Sequence, residues 1–191
     1  HDKTARDLPP SNGRAAPAPL KFLREIRYQI CTAEGELIAT HIRREYENSP
    51  KKFSWLMPDQ KIEGLFGKKK EELPLYNADK LAAFGLDAIV IVVEGEKKCD
   101  VLNEKLFLSV ATVTGAAGQP CDDSLRALLG RSVYLWPDAD AKGGAHMDKL
   151  AQRLHAAGTV PKIISWSEAE EKEDAADFFR ACWQRLRRRQ S

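Results

Sequence analysis

Ile89-Val90-Ile91-Val92-Val93-Glu94-Gly95-Glu96-Lys97-Lys98-Cys99-Asp100 is the stretch on which the fold turns. The β-branched run before Glu94 reads as an apolar strand, and the residues after Gly95 take up a helical pattern. In open parallel sheets the carboxyl ends of the strands form the ligand crevice, so a carboxylate placed directly after a strand points into a site. Gly95 lets backbone or ligand approach closely at that point.

Outward from this segment the chain alternates strands and helices, the signature of a parallel sheet covered by helices. The expected strands are 89–93, 109–114, 132–136 and 162–166, and the expected helices are 78–84, 97–106, 122–129, 143–157 and 174–187. Met147, Leu150, Ala151 and Leu154 show the spacing of one apolar helix face.

A second acidic group, Pro137-Asp138-Ala139-Asp140, follows the strand Val133-Tyr134-Leu135-Trp136. Residues two apart in an extended chain point to the same side, so Asp138 and Asp140 can converge on one ion. Two like charges held that close repel, and a hard cation such as magnesium relieves the repulsion. Oxygen-only ligands argue against zinc or copper. Between the two acidic groups, Thr112-Val113-Thr114-Gly115-Ala116-Ala117-Gly118 ends a third strand with a loop of small residues that can turn backbone N–H groups to a phosphate.

The region before residue 73 has a different texture. Residues 1–20, with Pro9, Pro10, Pro17 and Pro19, read as a linker or flexible arm. Residues 21–72 read as a β-rich extension of two hairpins: 26–30 with 37–42 across Glu34-Gly35-Glu36, and 52–56 with 62–66 across residues 58–61. Arg43, Arg44, Lys51, Lys52 and Trp55 of this extension interleave charge with a stacking group, as nucleic-acid surfaces do. Charged hairpin edges that merely prevent aggregation have the same composition. Residues 73–191 form the α/β domain and end in the run Arg185-Leu186-Arg187-Arg188-Arg189, read as a solvated tail.

The chain has 191 residues, 43% of them hydrophobic, enough for one well-buried domain with an appendage. Its 30 basic and 28 acidic residues leave a net charge of +2, so any basic surface must be local. The scattered cysteines, Cys31, Cys99, Cys121 and Cys182, make neither a zinc site nor a disulfide framework. No apolar run is long enough to span a bilayer, and a cytoplasmic protein with no membrane partner is expected. The chain opens on His1 rather than methionine, so a longer natural protein is expected.

Val92-Val93-Glu94-Gly95-Glu96-Lys97 with Asp100, then Thr114-Gly115, then Trp136-Pro137-Asp138-Ala139-Asp140 with Gly143, resembles the TOPRIM domain shared by bacterial primases, topoisomerases and some nucleases. With Leu73-Pro74-Leu75-Tyr76 before and Asp174-Ala175-Ala176-Asp177-Phe178 after, it is similar to the primase-like proteins of phages, plasmids and other mobile elements. Either acidic half alone is a weak signal, and the two in this order are a strong one.

The resemblance implies a Rossmann-like parallel sheet flanked by helices with a small antiparallel β-hairpin extension, and a primase-type nucleotidyltransferase. It implies that Asp138 and Asp140 hold Mg2+ (or Mn2+) near a nucleoside triphosphate or phosphodiester, with Glu94 in acid–base or metal-positioning chemistry. Lys97, Thr114 and Gly115 are the implied phosphate contacts, and Asp100, Asp174 and Asp177 stand as outer residues of the site. Asp174 as a helix N-cap, with Asp177 in the first turn, is the structural alternative. The implied partners are a single-stranded DNA template, nucleoside triphosphates and a replicative helicase or fused helicase domain. A metal-dependent nuclease and a non-catalytic metal- or nucleic-acid-binding module of a primase-helicase are the rival readings. No chemistry is assigned to His41, His146 or His155.

Overall fold

Two sheets organise the chain, and the computed structural model describes them over residues 20–115 and 118–188, with side chains as far as Cys182. The expected linker, but for Leu20, and the side chains of the arginine-rich end lie outside the described residues.

The second sheet is the one the sequence centres on. Strands β4 (Ile89–Glu94), β5 (Ser109–Thr112), β6 (Ser132–Leu135) and β7 (Lys162–Ile163) run in the order β5-β4-β6-β7, and every pairing is parallel. Central β4 has helices on both faces, which is why its apolar run does not alternate. Val90 and Val92 pack with Met147, Leu150 and Leu154 on one side, while Ile91 and Val93 meet Cys99, Leu102 and Trp136 on the other. The helices responsible are α3 (Ala141–Ala156) on the first face and α1 (Glu96–Glu104) and α4 (Ala175–Arg188) on the second. α2 (Asp122–Leu125) runs into a 3-10 turn, Arg126–Leu128, so the expected helix 122–129 is split. The expected helix 78–84 is a 3-10 helix, Ala78–Ala83, entered from a left-handed Asn77 and ended by an extended Phe84.

The N-terminal sheet consists of β1 (Phe22–Cys31), β2 (Leu37–Tyr46) and β3 (Ser49–Leu56), antiparallel in that order. The first expected hairpin forms as read, but the second does not. β3 pairs with β2 across Glu47-Asn48, where Asn48 takes the left-handed φ of 52° that a tight hairpin turn requires. Residues 62–66 are not a strand. Gly64, Phe66 and Gly67 all have positive φ, so the backbone coils back over β3 instead of extending.

The two sheets share a core. Ile30 and Ala39 pack with Leu73 and Val113, and Tyr28 meets the ring of Tyr76 edge-on at 5.6 Å between centroids. Tyr76 also forms an isolated bridge to Ala111, fastening the entry of the α/β domain to the β5 edge.

Candidate active site

Glu94 is the last residue of β4, and Asp138 and Asp140 follow β6, the neighbouring strand, so all three acids stand at the carboxyl edge of one sheet. Glu94 is only 7% exposed, and its Oε1 is buried with no hydrogen-bond partner. Burial pushes its carboxyl up to about 7, the charge of Asp138 adding to the shift, Lys98 opposing it and Asp140 adding again. An orphaned buried carboxyl oxygen is rare in a fold that gains nothing from it.

Asp138 is raised as well, by burial first. Lys98, one turn into α1, donates to its Oδ1. Asp174 and Asp140 push Asp138 in the same direction as burial does. Asp140 is the N-cap of α3, its Oδ1 accepting from the Gly143 N–H at 2.7 Å. The loop holding both aspartates is pinned from behind, because Ala139 exchanges backbone hydrogen bonds with Lys172 and Glu173. Gly143 is required for this packing. A Cβ there would lie 2.7 Å from the Asp138 carbonyl oxygen, closer than side-chain carbons come to backbone. Gly95 has a φ of 80°, so a glycine is favoured at the turn from β4 into α1.

The donor set is all oxygen, which suits a hard divalent cation, and a carboxylate used once as a cap keeps further lone pairs. Among the described residues, however, no three acidic, histidine or cysteine side chains converge on one point. Asp138 faces Lys98, whose ammonium neutralises the acid as a cation would.

Other expected site residues separate. Lys97 is exposed, and it is Lys98 that the helix turns into the acidic edge. The expected strand 109–114 stops at Thr112, so Thr114 and Gly115 lie in the loop after β5, beside Gly95, and the Thr114 carbonyl accepts from Lys70 Nζ at 2.6 Å, a lysine that the sequence reading passed over. Asp100 accepts from Tyr76 Oη at 2.8 Å. Asp174 caps α4, accepting from the N–H groups of Ala176 and Asp177, while Asp177 Oδ2 accepts from the Asp174 N–H.

In the N-terminal sheet Arg43 is buried and bound to Glu45, and Arg44 reaches Glu25, Ser54 and Glu63. Both guanidinium groups are therefore already matched by acids rather than presented to phosphates. The carboxyl of Glu45, between Arg24 and Arg43, is held down to about 2 by those hydrogen bonds. Lys51 and Lys52 remain exposed, and among the described residues neither joins an ion pair; Lys52 Nζ lies over the Tyr46 ring.

Two histidines set aside by the sequence reading have defined places. His146 is buried on α3 near Thr112 and Gln119. His41 Nδ1 lies 2.6 Å from Glu96 Oε1, the ring N–H donating to a carboxyl oxygen 55 positions away. No pattern in the sequence signals that pair, because only the packing of the two sheets creates it.

A four-stranded parallel sheet with a glutamate after its central strand and Asp-x-Asp after the neighbour, carrying an antiparallel sheet at its front, is the fold of a primase-type TOPRIM domain. Solved structures agree. The chain aligns over 95% of its length with 42% of an Aquifex aeolicus primase solved with zinc-binding and RNA polymerase domains, at 23% identity and a TM-score of 0.61. A DnaG catalytic core matches 86% of this chain over 52% of its own, at 18% identity and a TM-score of 0.60. A DnaG primase catalytic domain bound to single-stranded DNA matches 82% of this chain over 48% of its own, at 18% identity and a TM-score of 0.60. At these identities the likeness is one of fold, and the chain spans about half the length of the structures it matches. No protein-family model and no curated protein matches the sequence.

Proposed function

We propose that the chain is the nucleotidyl-transfer module of a DNA primase-like protein, dependent on Mg2+ or Mn2+ and acting with nucleoside triphosphates on a single-stranded DNA template. The observation that carries this reading is Glu94: a buried carboxyl with an orphaned oxygen, held near neutrality in its titration, at the carboxyl edge of a parallel sheet beside two more acids. The primase fold and the single-stranded DNA in one of the similar structures support it.

Glu94, Asp138 and Asp140 would hold the cation, which when bound offsets phosphate charge and polarises the reacting oxygens. Gly95 keeps the β4–α1 turn free of a side chain, so phosphate can come close to the backbone. Lys98 can leave Asp138 for a phosphate oxygen without crossing to another element, since both lie at the same edge. Glu94, poised near 7, is able to take or return a proton at neutral pH.

One observation favours a second reading. Lys98 already neutralises Asp138, and among the described residues no three acids converge, as suits a module that binds nucleic acid while a helicase or further domain supplies the rest. Incorporation of labelled nucleotide on a single-stranded template, run beside a cleavage assay with Mg2+, decides the matter. Metal-dependent incorporation that Glu94→Gln abolishes is expected. Cleavage without incorporation would make the chain a nuclease, and template binding with neither activity would favour the binding module.

A further inference from the structure

A run of three aromatic rings closes the front of the N-terminal sheet. His41 on β2 stands directly opposite Trp55 on β3, and the rings stack with centroids 4.0 Å apart and planes 10° from parallel. His41 also stacks on Phe53, at 5.3 Å and 26°. The histidine cannot easily turn, because its Nδ1 is held by Glu96, which is 5% exposed at the start of α1. The stack is therefore tied to the same helix that follows Glu94.

Phe53 has no comparable packing role. It is 56% exposed on the edge strand of a three-stranded sheet, where an open aromatic ring invites aggregation unless something covers it. Trp55 packs against the core shared by the two sheets, whereas Phe53 joins none of the buried clusters.

Phe53, His41 and Trp55 wall a cavity of about 370 Å³ that continues past Lys70 to Gly95 and Gly115. That volume falls in the range of small-ligand sites, about 300–1,000 Å³. One end of the cavity is a stacking surface, and the other is the turn that follows Glu94. Outside it, Lys51 stands two residues along β3 from Phe53, on the same face, as an exposed cation, while Lys52 opposite Arg44 lies on the other face over the Tyr46 ring and Arg43 and Arg44 are engaged by acids. An exposed ring with a cation beside it on one face of a strand is the combination that holds single strands by base stacking and phosphate attraction.

We propose that the Phe53–His41–Trp55 stack and the cavity it walls form a nucleobase-stacking subsite that takes an unpaired base of a single-stranded nucleic acid. The base lies on the open face of Phe53, and the strand's phosphate backbone passes Lys51. A strand fits better than a free nucleoside triphosphate because Lys51 stands outside the cavity, two residues along β3 from Phe53, where the phosphate of a neighbouring nucleotide lies. The subsite rests on the nucleic-acid reading proposed above and adds to it the group that is recognised.

The test measures binding of the full chain to a short labelled oligodeoxythymidylate and to an abasic strand of the same length, by fluorescence anisotropy over a series of salt concentrations. Phe53→Ala should weaken binding of the thymidylate by on the order of tenfold, with an unchanged salt slope, and should leave the abasic strand's affinity as it is. Phe53→Trp should restore the thymidylate affinity. Because Phe53 is exposed, both variants should melt as the parent does. If Phe53→Ala binds thymidylate like the parent while Lys51→Gln weakens both strands, the surface holds phosphates alone; the subsite falls and the nucleic-acid reading stands. A parent that binds neither strand overturns both. A second arm titrates a nucleoside triphosphate, and a Phe53→Ala effect confined to that arm contradicts the assignment to a strand.

Discussion

The environment of Glu94 makes a definite statement about stability. Its ordinary value near 4.5 is raised to about 7 in the fold, so folding favours the protonated form. The stability that goes with protonation is fully present below about 4.5 and is lost as pH rises through about 7. In chelator, Glu94→Gln should therefore melt close to the parent at pH 4 and above it at pH 8, by up to about 3 kcal/mol. Equal differences at the two pH values would show that Glu94 is not strained by its charge. Added Mg2+ should narrow the gap at pH 8, because the cation would stabilise the ionised parent more than the amide, which keeps only the two aspartates.

Lys98 belongs to the same scale. Half-buried against Asp138, its ammonium is the internal counter-charge of the site. Lys98→Met should lower metal-free stability by about 1–3 kcal/mol, because an acid is left without its partner. At pH 8 the same variant should bind Mg2+ more tightly than the parent, since the ion no longer competes with an ammonium. Isothermal calorimetry checks the second statement, and weaker Mg2+ binding would mean that Lys98 shapes the site instead of filling it.

At the scale of elements, the acidic edge depends on how α3 and α4 begin. Gly143 admits the first turn of α3 against the Asp138 backbone, so Gly143→Ala should cost about 1–3 kcal/mol by overpacking and should displace the Asp138–Asp140 loop. Thermal melts with and without Mg2+ give both effects, and a variant with unchanged stability and metal response would contradict the close approach.

The parallel sheet was readable in the sequence for the same local reasons. The β-branched run before Glu94, the strands before Thr114 and Pro137, and the helix face of Met147, Leu150 and Leu154 all carry patterns that packing preserved. What misled was equally local. Residues 62–66 look like a strand by composition, and the positive φ at Gly64, Phe66 and Gly67 excludes one. The turn at Glu47-Asn48 was overlooked because only Asn48 marks it.

At the scale of the whole molecule, the contacts between the sheets could not be read at all. His41 with Glu96, and Lys70 with Thr114, join residues 55 and 44 positions apart. Nor could charge alone tell engaged arginines from open lysines. Arg43 and Arg44 look as basic as Lys51 and Lys52, and only the placement of Glu45, Glu25 and Glu63 separates them. Replacing Lys51 and Lys52 together by glutamine should accordingly reduce the salt slope of single-strand binding by about one to two units, whereas an unchanged slope would mean the lysines are merely solvated.

The central claim is that the three acids at the carboxyl edge hold a divalent cation together. Calorimetric titration of Mg2+ into the parent, Asp138→Asn and Asp140→Asn tests it most directly, with melts in chelator to confirm that each variant folds. The account predicts saturable binding to the parent and affinity at least tenfold weaker in each asparagine variant, since each substitution keeps the shape and removes a charge that holds the ion. Asparagine variants that bind Mg2+ as tightly as the parent would place the cation elsewhere and contradict the account.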